Sequence, residues 1–185
     1  MDRRSPNSSI QGFSSDQGYV GGRELHRMVW EFFEKKGQPF SYRSRNKVHD
    51  STESTSSLIE LPIACYLLEH GYTTEVRERY DETFGFKMKF DLELEVGFGG
   101  SLNNITDWDW SYPGQLDAVA KSIDWMNDNL GYDLDKRRTM RRVTHNANII
   151  SGIRRKELKR NDGTMLMNPG NALDLGLKFA NSYPM

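Results

Sequence analysis

Cysteine is almost missing from this chain of 185 residues. Cys65 stands alone, so no disulfide can close within the chain and no cysteine cluster can hold a metal. A reducing cytoplasm is the matching compartment. Cys65 sits in the run Ile63-Ala64-Cys65-Tyr66-Leu67-Leu68, which suits a buried thiol better than a nucleophile. Long apolar runs are missing too. That six-residue run is the longest, whereas a membrane span needs about 20 residues, so no membrane contact is expected. The opening MDRRSPNSSIQGFSSDQ has basic residues with no apolar stretch behind them, and no secretory signal is expected. Without secretion the glycosylation match Asn104-Ile105-Thr106 carries no meaning.

Catalytic signatures are scarce as well. Gly97-Phe98-Gly99-Gly100-Ser101 follows strand-like sequence, but Leu102 stands where a dinucleotide loop needs glycine, and no Gly-Lys-Ser/Thr follows. The histidines His26, His49, His70 and His145 share no metal-ligand spacing. Asp107-Trp108-Asp109-Trp110 places two carboxylates beside two indoles. Such a group can hold Mg²⁺, pack as a loop, or anchor an interface through Trp108, Trp110 and Tyr112. The interface reading is preferred, and neither an enzyme activity, a metal nor a cofactor is expected.

What the chain does have is separated charge. Residues 136–160 hold ten Lys and Arg against Glu157, a net of +9, whereas residues 1–135 carry a net of −9. The formal total of −1 hides this opposition. Lys136, Arg137, Arg138, Arg141 and Arg142 recur 18 positions later as Arg154, Arg155, Lys156, Lys159 and Arg160. Eighteen residues make five helical turns, so one continuous helix stacks both clusters on the same faces about 27 Å apart. Met140, Val143, Ala147, Ile150 and Leu158 form the opposing apolar stripe. Asp133 reads as the N-cap and Gly163 as the stop. Asn146, Asn148, Ser151 and Gly152 are poor helix formers and the weak point of this register. Such a face can be merely solvated, or can meet an acidic protein surface or nucleic acid.

The remaining chain reads as one domain with appendages. Only 36 % of residues are apolar, yet nine Phe, eight Tyr and four Trp suffice for one core. Residues 1–22, polar and ending in Gly21-Gly22, read as a flexible arm that orders against a partner. Leu25, Met28, Val29, Phe32 and Phe33 predict a helix over 23–36, ended by Gly37 and Pro39. Residues 44–57 read as a polar loop. The run 58–70 fits a helix or a buried strand, with strand preferred because the following sequence needs a partner. From Phe84 to Val96, apolar residues alternate with Gly85, Lys87, Lys89, Asp91, Glu93 and Glu95, which predicts a long strand with one wet face. Thr74, Val76, Glu78 and Tyr80 read as its pairing strand. Residues 97–114 form a loop, 115–130 a helix before Gly131, and 171–180 a short closing helix. The expected fold is therefore α+β. It has an arm over 1–22, a core over 23–131 with an antiparallel sheet flanked by helices, and a basic helical segment over 132–185.

This order of elements resembles the bacteriophage tail-terminator and tail-completion proteins. The likeness runs from the helix near residue 23 through Leu61-Pro62-Ile63-Ala64-Cys65-Tyr66 and the alternating stretch Phe86–Val96 to the helix opening at Gln115-Leu116-Asp117. It covers residues 23–130 and leaves the arm and the basic segment unaccounted for. The resemblance implies a small, non-enzymatic α+β protein that forms a ring at the end of a tail tube and docks it to the head. It implies no catalytic residues, a homo-oligomer with virion partners, and a place in the virion or the host cytoplasm. The charge asymmetry then serves subunit contacts or faces passing DNA. The second reading is a nucleic-acid-binding protein that uses Arg137, Arg138, Arg141, Arg142, Arg154, Arg155, Lys156, Lys159 and Arg160.

Overall fold

A computed structural model of the chain describes residues 6–37, 39–48, 51–85, 92–97 and 104–158, with the side chains of 6–16, 36, 48, 75 and 155–158 left out. It is mixed helix and sheet, in keeping with the α+β expectation. The elements are α1 (Pro6–Phe32), β1 (Arg43–Val48), β2 (Ser51–Thr55), α2 (Leu61–Glu69), α3 (Val76–Phe84), β3 (Glu95–Gly97), β4 (Ile105–Asp107), α4 (Tyr112–Leu130) and α5 (Lys136–Leu158). They fall into two compact units. Unit 1 comprises residues 1–56 and 67–92, and unit 2 comprises 57–66 and 93–185.

Unit 1 corrects three expectations. Helix α1 does not start at residue 23 but runs back to Pro6. Gly21, expected to loosen the chain, instead lets α1 lie close to its neighbour. A Cβ there would fall 2.7 Å from the Tyr72 ring. Leu25, Met28, Val29 and Phe32 bury the periodic face as predicted, and Phe33 stacks on Phe40 at 4.4 Å. A 3-10 turn over Glu34–Lys36 ends the helix at Gly37. The second correction is 74–80. Val76 and Tyr80 are buried one helical turn apart on α3, not on the shared face of a pairing strand. A π-helical turn, His70–Glu75, joins α2 to α3 and packs on α1. Residues 44–57 are also more ordered than a polar loop. β1 and β2 form an antiparallel hairpin with a register shift between Ser44 and Asn46. Tyr42 is buried beneath it, its hydroxyl 2.7 Å from Ser54 Oγ, and burial pushes that phenol up to about 12.

In unit 2 the preference for a strand over 58–70 is overturned. Leu61–Glu69 is helical, with Pro62 in the first turn where its missing N–H costs nothing. Glu60 sets the start: its carbonyl accepts from Ile63 N and Ala64 N, and its carboxylate accepts from Ser57 Oγ. Residues 62–67 are all buried, and a helix buried all round shows no period. The long strand 84–96 is not seen as one element. Phe84 ends α3, residues 86–91 lie outside the described set, and among the described residues of this stretch Glu95–Gly97 pairs, antiparallel to Ile105–Asp107. The alternation itself holds over 92–97, where Leu92, Leu94 and Val96 are more buried than Glu93, Glu95 and Gly97. Cys65, Val96 and Trp108 form one apolar cluster; Val119, Ile123 and Val143 form another, and Leu61 packs on both. The closing helix expected over 171–180 lies outside the described residues.

Candidate functional site

The α4–α5 hairpin positions the basic face. Ser111 caps α4 by accepting from Gly114 N at 3.0 Å, and Gly131 closes it in the left-handed conformation at φ 67°. Asn127 then grips the connection. Its Nδ2 donates to Leu134 O at 3.2 Å, and its Oδ1 accepts from Leu134 N at 2.9 Å. The α5 cap is Asp135 rather than the expected Asp133, since Asp135 Oδ1 accepts from Arg138 N at 2.9 Å. The three-residue spacing from Asp135 to Arg138 was the available signal.

Helix α5 passes through Asn146, Asn148, Ser151 and Gly152 without a break. Asn146 explains part of this. It is buried, and its Nδ2 donates to Ile59 O at 2.7 Å, so a poor helix former satisfies a backbone carbonyl that would otherwise be orphaned. Val143, Ala147 and Ile150 are fully buried and Met140 partly so, as the apolar stripe predicts.

The basic residues singled out in the sequence divide into four groups. Arg137, Arg138 and Arg141 are exposed on the first turns of α5 and have no ion pair among the described residues. Lys136 beside them is paired with Asp124 of α4 at 2.7 Å. Arg142 is half-buried at the flank of this face. Arg154, one helix length on, lies 3.8 Å over the Trp110 ring. This cation–π contact joins two residues 44 positions apart, and no local signal in the sequence announces it. Arg155 and Lys156 belong to α5, but their side chains, like Lys159 and Arg160 altogether, lie outside the description.

The aromatic trio is not one surface. Trp108 is buried in its own unit with its ring edge-on to Trp110 at 6.1 Å; Trp110 and Tyr112 are half-buried. An interface anchor must be reachable, so Trp108 acts as core here and only Trp110 and Tyr112 keep an outward edge. Asp107 and Asp109 are both exposed, and Asp109 Oδ1 accepts from Ser111 N at 2.8 Å. Among the described residues no three His, Cys, Asp or Glu gather to hold a metal ion. His26 and His145 are exposed and His70 is buried; His49 lies outside the described residues. No helix among the described residues is long and apolar enough to cross a membrane. No protein-family model, curated protein or solved structure matches the chain.

Proposed function

We propose that the chain is a non-enzymatic assembly protein that docks through α5 onto an acidic protein surface, that of another copy of itself. The observation that supports this is the exposure of Arg137, Arg138 and Arg141 without acidic partners among the described residues. The matching surface belongs to the same chain, because residues 1–135 carry a net charge of −9. Asp128 and Asp133 are among their exposed carboxylates. Opposed patches of this kind steer association and fix its register. The resemblance to tail-terminator proteins gives such an assembly a form, a ring of subunits with virion partners, in the virion or the host cytoplasm.

The unbroken course of α5 favours a second reading, in which the same face tracks the phosphates of nucleic acid. The helix keeps Lys136, Arg137 and Arg138 in register with Arg154, Arg155 and Lys156 five turns later. Sedimentation of the full chain with and without duplex DNA separates the two. For assembly, the oligomer dissociates when Arg137, Arg138 and Arg141 become Ala, and DNA has no effect at physiological salt. For the second reading, a monomer binds DNA with a log–log salt slope near −0.9 per phosphate, and the triple variant lowers that slope by about three. A monomer indifferent to DNA removes both.

A further inference from the structure

The tip of the α4–α5 hairpin carries charges that the fold leaves unmatched. Glu24 of α1 shows the usual arrangement. It is buried and accepts from Arg27 Nε at 2.6 Å, from Arg23 at 3.2 Å, and from Arg79 of α3. At the hairpin, Lys136 likewise reaches Asp124. Asp128, Asp133, Arg137, Arg138 and Arg141, by contrast, are exposed and form no ion pair among the described residues.

Three of these charges also oppose their own helix ends. Asp128 lies in the last turn of α4, where free carbonyls favour a cation, and no basic residue occupies that turn. Arg137 and Arg138 lie in the first turn of α5, where free N–H groups favour an anion, and no acid occupies that turn. Arg138 stands three residues after the Asp135 cap, the position at which Glu or Gln completes a capping box. Stability of the hairpin does not account for charges of this sign; association does.

The same tip exposes apolar surface. Leu130 and Tyr132 are 46 % and 56 % exposed and flank Gly131. Their backbone is fixed. Gly131 N and Tyr132 N both donate to Met126 O, and Asn127 holds Leu134 through two hydrogen bonds. A leucine and a tyrosine on rigid backbone, with carboxylates and guanidiniums around them, have the make-up of an interface centre and its charged rim.

We infer that this tip pairs with the tip of a second copy about a two-fold axis. Leu130 and Tyr132 meet at the centre, and Asp128 and Asp133 of each copy face Arg137, Arg138 and Arg141 of the other. Pairing of this kind rests on the proposed assembly through α5 and supplies its acidic side. One surface carries both signs, so it complements itself, as a two-fold contact must. It closes on a pair, and a ring of such pairs needs a second contact elsewhere. The tip is small beside the ~1,600 Å² of a standard interface, so the pairing is of micromolar order and weakens with salt.

Two charge-reversed full chains test this by sedimentation velocity at low salt. One carries Asp128→Lys and Asp133→Lys; the other carries Arg137→Glu, Arg138→Glu and Arg141→Glu. Each alone has a tip of one sign and self-associates about tenfold more weakly than the unaltered chain. Mixed one to one, they form a heterodimer within about threefold of the unaltered affinity. Tyr132→Ala weakens pairing about tenfold. Both reversed chains keep the circular dichroism of the unaltered monomer, and the Glu variant melts no lower, because its α5 start gains matching charge. Dissociation of the Glu variant with the Lys variant still paired overturns the inference, while assembly through α5 stands with its acidic side elsewhere. Dissociation of both without recovery on mixing also overturns it. So does a Glu variant that melts lower, since the arginines then serve the fold. An unaltered chain that stays monomeric, or a Glu variant that associates as before, overturns assembly through α5 and the pairing together.

Discussion

Glu24 in unit 1 and Asn146 in unit 2 are both polar, both 2–3 % exposed, and both tied to groups distant in sequence. Glu24 is a charge matched by charges; Asn146 is a neutral amide matched by a neutral carbonyl. The difference lies in what each asks of the solvent. A carboxylate held by arginines must stay ionised, so unit 1 is tied to pH through Glu24. The amide of Asn146 has no proton to gain or lose in the ordinary range, nor do Gln115, which donates to Trp110 O, or Asn127. A buried ion pair also leaves a costly residue when half of it is removed, whereas a lost neutral bond costs one desolvation.

Three changes sharpen or break that comparison. The largest effect belongs to the apolar core of unit 2: Ile123→Ala lowers stability by about 2–5 kcal/mol, as large-to-small changes at fully buried sites do. Urea denaturation measures it, and the loss should be the same at every pH. Next comes Glu24→Gln, which costs about 1.5–3 kcal/mol at neutral pH through weakened charge-assisted bonds. Its signature is in the pH dependence. The folded carboxyl titrates below its ordinary value of 4.5, so its contribution is complete above that value and fades as pH falls through the lowered one. The variant therefore loses less on acidification to about pH 2 than the unaltered chain does. Asn146→Ala is the smallest, about 1–2 kcal/mol for the orphaned Ile59 carbonyl, and equal at both pH values. A pH-dependent loss at Asn146, or a pH-flat one at Glu24, would break the contrast.

Legibility in the sequence followed the same divide between local and distant causes. The α4 helix and the basic α5 helix were readable because their apolar residues repeat at helical spacing and Gly131 marks the gap between them. The hairpin over 43–55 was not, because its residues are nearly all polar and its anchor, Tyr42, bonds Ser54 across it. Val76 and Tyr80 fit both a strand period and a helix period, so the segment before Phe84 could not be decided from spacing. In 62–67 every position is apolar, and a pattern without gaps carries no period at all. For the candidate face, the arginines were visible but their fates were not. Nothing near Arg154 reveals that Trp110 takes it, and nothing near Trp108 reveals that it is buried.

Asp109 and Ser111 leave one further mark. With Asp109 bonded to Ser111 N and Ser111 capping α4 at Gly114, a Cβ at position 114 would fall 2.6 Å from the Cβ of Asp109. The three positions are therefore one unit of inheritance. In a lineage descended from this chain, Arg137 or Arg141 can drift while the fold survives, but residue 114 can leave glycine only if Asp109 leaves with it. The spacing Asp-x-Ser-x-x-Gly before a helix therefore carries a coupled constraint that the basic face of α5 does not.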